Sequence, residues 1–308
     1  MTSSPTDERA DDADEVRTSY RDSFDQLNDR LVGTKFHKYL RFFNFGYAVL
    51  EGEEPAGPAL PRRFPNLDSA QLLFQVVGDT DLTGRRVAEV GCGRGGNIGL
   101  LLDHAGIASA VGLDLAGTSL DFCRQTYPAD RSAFAQSDAE ALPLADGSVD
   151  AVVNIESSGC YPDVERFFRE VARVLAPGGW FLWADLSRRE MVAAYQRAFG
   201  DLGLEVAAHR DITPNVLASR AARAERQRLA FGDGRAIEGF EEWVGADGSA
   251  LHEQLSDRRC AYTIIRARKV GPATAGPGPL FSPAEQAMIL EFSRFGADVL
   301  SGRGGSAP

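Results

Sequence analysis

Two hydrophobic periods run through this chain. Near its start Val16, Tyr20, Phe24, Leu27 and Leu31 recur every three or four residues, which predicts an amphipathic helix with one apolar stripe. Beyond residue 81 the pattern changes. Short apolar runs at 85–90, 108–115, 132–136, 149–155, 180–186 and 205–210 read as strands, and helical stripes stand between most of them. The run 149–155 is apolar almost throughout, as a strand buried on both faces requires. Helices are predicted at 68–77, from 95 onward, and at 118–127, 162–176 and 188–202. Strands alternating with helices predict an α/β fold with a largely parallel sheet.

The same pattern divides the chain. Residues 1–13 are polar and acidic and predict a disordered tail. Residues 14–80 form an N-terminal helical and aromatic cap, and 81–211 the ligand-binding core. Residues 212–261 form a helical insertion, placed to act as a lid. A last core strand follows at 262–270. A Gly/Pro-rich linker then leads, within 271–308, to a final helix opened by Ser282, Pro283 and Glu285.

Composition changes this picture little. An apolar content of 44% and a charged content of 25% are ordinary for a globular protein. The net charge of −11 weighs against a nucleic-acid partner, because phosphate binding needs a basic surface. No run is apolar enough to span a bilayer and no leader pattern stands at Met1, so the expected location is the cytoplasm. The four cysteines, Cys92, Cys123, Cys160 and Cys260, are scattered without a C-x-x-C pair, so no metal is expected. The apolar helix outside the core and the aromatic residues of the lid point to a homo-oligomer, with exchange of the N-terminal helix as one arrangement.

Candidate chemistry centres on residues 86–97. A strand ends at Val90, Gly91, Gly93, Gly95 and Gly96 make a tight turn, and Asn97 opens a helix. This is the first half of a nucleotide-binding βαβ unit. The glycines also fit the G-x-G-x-x-G of NAD enzymes. Glu89 separates the two readings. A carboxylate two residues before the first glycine would repel a pyrophosphate, whereas it suits the ammonium and sulfonium of S-adenosylmethionine (SAM). Asp114 lies 21 residues past Gly93 at a strand end, where a carboxylate accepts from both ribose hydroxyls. Leu115 follows it. Asn154 stands at the end of the fourth strand and Glu156, Cys160 and Tyr161 follow it, at the carboxyl edge of the sheet, where such folds bind ligands.

Glu89-x-Gly91-x-Gly93-x-Gly95 resembles motif I of class I SAM-dependent methyltransferases. That resemblance implies their Rossmann-like sheet, mostly parallel with an antiparallel last strand. It also implies an adenine site at Asp138 and Ala139. Phe45-Gly46-Tyr47, Asn154-Ile155-Glu156-Ser157-Ser158, Leu175-Ala-Pro-Gly-Gly and Asp211-Ile-Thr-Pro-Asn-Val resemble the phthiotriol/phenolphthiotriol dimycocerosate methyltransferase family. The family implies methyl transfer to a hydrophobic lipid, polyketide or related natural product, with S-adenosylhomocysteine as by-product. Tyr47 would lie near the methionine end of the cofactor. The N-terminal extension is similar to that of actinomycete methyltransferases, such as those of teleocidin pathways, that alkylate a terpenoid double bond and cyclise the resulting cation. There Tyr20 would anchor the extra helix.

One departure bears on mechanism. The family is expected to carry Ser-His-x-Tyr where this chain has Ser158-Gly159-Cys160-Tyr161. Without that histidine, the base candidates are His252 in the lid and Glu156. An alkene needs no base for the transfer step, only an aromatic pocket that tolerates a cation, for which Phe42, Phe43, Phe45, Tyr47, Tyr161 and Trp243 are candidates. Three readings follow: a C-methyltransferase acting on a terpenoid, an O-methyltransferase acting on a hydroxylated lipid or polyketide, and a SAM-binding protein that cyclises or scaffolds without transfer. An NAD oxidoreductase is disfavoured by Glu89.

Overall fold

A computed structural model of the chain describes residues 5–34, 37–61, 63–64, 66–231 and 249–301. Seven strands form one sheet: β1 (Arg86–Val90), β2 (Ser109–Asp114), β3 (Ser132–Gln136), β4 (Val149–Ile155), β5 (Leu175–Arg188), β6 (Leu204–Asp211) and β7 (Cys260–Lys269). Their order is β3-β2-β1-β4-β5-β7-β6. All neighbours are parallel except β7, which runs antiparallel between β5 and β6. The expected Rossmann-like sheet with an antiparallel last strand is therefore present. The direction of winding reverses between β1 and β4. The carboxyl ends of these two strands frame the crevice in which such folds bind ligands.

Helices α2 (Leu67–Val77), α3 (Gly96–His104), α4 (Gly117–Thr126), α5 (Val164–Val174) and α6 (Val192–Asp201) surround the sheet. Two apolar clusters result. One joins α2 and α3 to one face through Leu72, Leu73, Ile98 and Leu101. The other joins α5 and α6 to the opposite face through Phe167, Phe168, Phe181, Trp183 and Phe199. The phenylalanines of the second cluster meet edge to face, the geometry that aromatic quadrupoles favour.

Helix α1 spans Pro5–Leu31 and so takes in most of the stretch whose acidity predicted a disordered tail. Helix α7 (Thr213–Phe231) opens the insertion, with Asp211 accepting from the N–H and hydroxyl of Thr213 at 3.0 and 2.6 Å. Helix α8 (Ala250–Ser256) closes it. Trp243 lies outside the described residues. The segment 271–280 is strapped down rather than a free linker. The amides of Thr274 and Ala275 donate to Asp201 O, and Arg169 reaches the carbonyls of Gly276 and Gly278. It leads to α9 (Pro283–Leu300), which starts with a full capping box at Ser282 and Glu285.

Helices α1 and α9 pack on each other and on a one-turn 3-10 helix at Ser158–Cys160, just after β4. Both extra helices therefore meet at the crevice. Among the described residues no helix is long and apolar enough to cross a membrane, and no metal-binding cluster occurs.

Candidate active site

A cavity opens at the carboxyl ends of β1, β2 and β4, closed from outside by α1 and by residues 41–44. Of the predicted site residues, Tyr20, Phe42, Glu89, Gly91, Gly93, Asn97, Asp114, Leu115, Asp138, Ala139, Glu156, Cys160 and Tyr161 line it. The chain brings them together because each stands at or just after the carboxyl end of a strand or on a segment laid across the strand ends.

The glycine turn is left-handed at Gly91, Gly93 and Gly95, with φ of 72°, 49° and 69°. The neighbours differ from the simple expectation of ligand approach. A Cβ at Gly91 would overlap Ser157 Oγ, and one at Gly95 would meet the Tyr127 ring at 2.6 Å. Only at Gly93 does the nearest atom, from Phe43, lie at ordinary contact, 3.6 Å. Gly91 and Gly95 thus serve protein packing, and Gly95 does not line the cavity.

Glu89 is 2% exposed. Asn97 Nδ2 donates to its Oε1 at 2.7 Å. Its Oε2, Asn97 Oδ1 and Asn44 Oδ1 are buried and take no hydrogen bond. Three unmet acceptors on residues that line the cavity suit a donor that carries positive charge, such as an ammonium group. Burial raises the Glu89 carboxyl to about 8, against the pull of the Asn97 hydrogen bond.

Asp114 accepts from Gly93 N at 2.7 Å and from Ala116 N at 2.9 Å, one on each oxygen. Each oxygen keeps a second lone pair for a ribose hydroxyl. Asp138 accepts from Glu140 N at 2.9 Å and pairs with Arg17 Nε at 3.2 Å. Arg17 also binds Glu140, so α1 is tied to the expected adenine end.

Glu156 has φ 52°, a left-handed backbone rare outside glycine. Its Oε1 accepts from Phe45 N at 2.7 Å and from the Tyr262 hydroxyl at 2.8 Å. Burial raises this carboxyl to about 8. Tyr161 shares a 2.6 Å hydrogen bond with Ser157. Burial also drives the Cys160 thiol upward, so it is a poor nucleophile.

Four predicted site residues besides Gly95 and Trp243 need correction or relocation. Phe45 lies behind the cavity, against Tyr262, and only its N–H acts on the site. Tyr47 is buried with its hydroxyl bound to Glu53 and Arg210, away from the cavity. Asn154 ties β4 to β1 by donating to Val90 O at 2.9 Å and does not line the cavity. His252 stands on α8, which packs on α7 and β7, and no histidine among the described residues lines the cavity. Gly159 replaces the expected histidine. A Cβ there would face Phe292 of α9 at 3.4 Å, so α9 fills the space of a larger side chain.

Sequence reasoning missed the supports. Arg94 is 1% exposed and donates to Leu40 O, Asn28 Oδ1 and His37 O while lying over the Phe122 ring. Burial lowers it to about 10. Asp185 holds the turn after β4, accepting from Ser158 Oγ at 2.6 Å and Gly159 N at 2.9 Å. Arg17 and Phe24 were hidden among the polar and apolar positions of a helix. No local motif marks any of them.

A methyltransferase domain family matches residues 88–183. The fatty-acid O-methyltransferase of Mycolicibacterium smegmatis is 39% identical over 72% of this chain and 81% of its own length. The phthiotriol/phenolphthiotriol dimycocerosates methyltransferase of Mycobacterium leprae is 32% identical over 75% and 86%. This chain belongs to the SAM-dependent methyltransferases. The fold of this methyltransferase is shared with geranyl diphosphate C-methyltransferase from Streptomyces coelicolor, at TM-score 0.59, 19% identity and coverage of 80% of this chain and 98% of that one. It is shared also with the 4+2 cyclase SpnF, at TM-score 0.54, 22% identity and coverage of 74% and 87%. SAM is the cofactor of this family, and the unmet acceptors around Glu89 fit its ammonium group.

Proposed function

We propose that this enzyme methylates a carbon atom of a hydrophobic small molecule of terpenoid type, a nucleophile that needs no histidine base. One observation carries the reading. The cavity is lined by Tyr20, Phe24, Phe42, Phe43, Cys160 and Tyr161, with no histidine among them.

Bound SAM supplies an electrophilic methyl group whose sulfur leaves with the bonding pair. The chain does the rest. Glu89, Asn97 and Asn44 hold the ammonium, Asp114 the ribose, and Asp138 with Ala139 the adenine. Helix α1 and residues 41–44 exclude water, and the aromatic wall orients the acceptor. When the acceptor is a prenyl double bond, the new C–CH3 bond leaves a carbocation. The surrounding rings stabilise it until it cyclises or loses a proton. In its ionised form Glu156 is the carboxylate at hand to receive that proton.

O-methylation of a lipid is the second reading, favoured by the names of the fatty-acid and phthiotriol relatives. A carboxylate acceptor would also need no base. The same cavity serves a SAM-bound cyclase without transfer, as a third reading. A homo-oligomer remains part of the proposal, although α1 already packs on α4 and α9 of its own chain.

The test is incubation with methyl-labelled SAM and a panel of prenylated indoles, fatty acids, phenols and hydroxylated polyketides, with NMR of the products. A label on carbon supports the first reading and a label on oxygen overturns it in favour of the second. Bound SAM without any transfer favours the third.

A further inference from the structure

Glycine inside a helix is disfavoured relative to alanine, so an internal glycine marks a close approach. Gly296 is such a residue in α9, next to the buried Phe295 and Ala297. A Cβ on Gly296 would overlap the hydroxyl oxygen of Tyr20 and lie 3.4 Å from its Cζ. The same hydroxyl donates to Ser293 O, nearly one turn earlier in α9, at 2.9 Å. The tip of Tyr20 thus sits in a notch that exists because residue 296 has no side chain.

The other edge of Tyr20 faces the cavity. Its ring lines the same end as Phe24 and Cys160, and Val16, Tyr20 and Ala297 form a small cluster with those two residues. The turn at Ser158–Cys160 stands at the carboxyl end of β4, the acceptor side of the crevice. A tyrosine ring is rigid. With the notch filled it has to swing away from α9, towards Cys160 and the cavity.

We propose that Gly296 is a specificity-determining residue, which sizes the acceptor end of the cavity by seating the Tyr20 hydroxyl in the C-terminal helix. It touches neither cofactor nor acceptor and acts only through Tyr20. The inference rests on the reading of this cavity as a methyl-transfer site.

The test uses the full chain as wild type, Gly296→Ala, Tyr20→Phe and the double variant. Three readouts are taken. Calorimetry measures S-adenosylhomocysteine affinity. Titration with N-phenyl-1-naphthylamine, a neutral hydrophobic fluorophore, probes the acceptor end of the S-adenosylhomocysteine complex. Fluorine NMR of 3-fluorotyrosine protein follows the Tyr20 signal, assigned by its loss in Tyr20→Phe.

Gly296→Ala should shift the Tyr20 signal and weaken the fluorophore about fivefold or more, with S-adenosylhomocysteine affinity changed less than about twofold. The double variant should regain the fluorophore affinity of Tyr20→Phe, because Cζ alone leaves room for the new methyl group. If Gly296→Ala unfolds, a double variant that folds and melts like Tyr20→Phe shows the same coupling, and its fluorophore affinity then decides the sizing role. An unchanged Tyr20 signal and fluorophore affinity in Gly296→Ala, or a double variant no better than the single, overturns the proposal. So does a wild-type complex that takes up no fluorophore, since there is then no acceptor space to size. Failure of the wild type to bind S-adenosylhomocysteine instead overturns the methyl-transfer reading.

Discussion

Glu89 concentrates the residue-scale physics of the site. It is a buried carboxyl with one oxygen satisfied by Asn97 and the other unmet. A ligand ammonium would complete it and favour its charged form. Glu89→Gln removes the charge and keeps the shape, so SAM affinity should fall about 10- to 100-fold, as loss of a charge-assisted hydrogen bond implies. Calorimetry measures this directly. A change under about twofold would place the ammonium elsewhere.

The pH dependence has a definite sign. Glu89 and Glu156 are both raised by burial to about 8 in the folded chain. Their contribution to stability is complete below the ordinary carboxylate range and is lost as pH rises through 8. The ligand-free enzyme should therefore lose stability between about pH 5 and 8. SAM binding near neutral pH should release a proton from Glu89. The apparent binding enthalpy should then vary with the ionisation enthalpy of the buffer, and that variation should shrink in Glu89→Gln.

At the scale of elements, the turn after β4 depends on a carboxylate it does not contain. Asp185, in β5, accepts from Ser158 Oγ and Gly159 N, and Trp183 Nε1 donates to Ser158 Oγ at 2.8 Å. The turn carries Cys160, and Glu156, Ser157 and Tyr161 flank it; all four line the cavity. Ser158 Oγ and Gly159 N both donate to Asp185 Oδ2 while Oδ1 accepts from Leu186 N, so Asp185→Asn turns one of two engaged acceptors into a donor that faces a donor. It should lower kcat about tenfold or more and leave SAM affinity unchanged, because Glu89, Asp114 and Asp138 lie on other elements. Equal losses in both would mean that the core, not the turn, had moved. The 44–53 segment is held in a similar way from outside: α7 binds it through Asn215, Ser219 and Arg223, and its Phe45 N–H reaches Glu156.

At the scale of the whole molecule, this is a methyltransferase sheet wrapped by helices from both ends of the chain. Arg94 joins wrapping and core. It stands in the glycine turn and binds Asn28 of α1 and the carbonyls of His37 and Leu40. Arg94→Ala would leave the buried Asn28 Oδ1 and two half-buried carbonyls unmet, at a cost of about 2–4 kcal/mol. Denaturant unfolding should show the loss, and SAM binding should weaken with it because α1 and residues 41–44 close the cavity. A change below about 0.5 kcal/mol would mean that α1 docks without this tie.

The sequence by itself determined the sheet and brought Glu89, Gly93 and Asp114 to one crevice. Strand runs such as Val149–Ile155 are continuous in the chain, and Glu89, Gly93 and Asp114 sit at fixed offsets from strand ends, so local spacing carries them. Tertiary structure decided which of the acceptor-side candidates meet in one cavity and which turn away from it. Tyr20, Phe43, Glu156 and Cys160 come from three segments, and which side chains of an amphipathic helix face a cavity depends on what packs behind them. Tyr47 and Asn154 show the converse: each follows a familiar motif, yet its hydrogen bonds turn it into the core. Arg94, Asp185 and Gly296 were illegible for the same reason. A buried charge or a missing side chain has meaning only through partners far away in sequence, and those partners meet only when α1 and α9 close on the sheet.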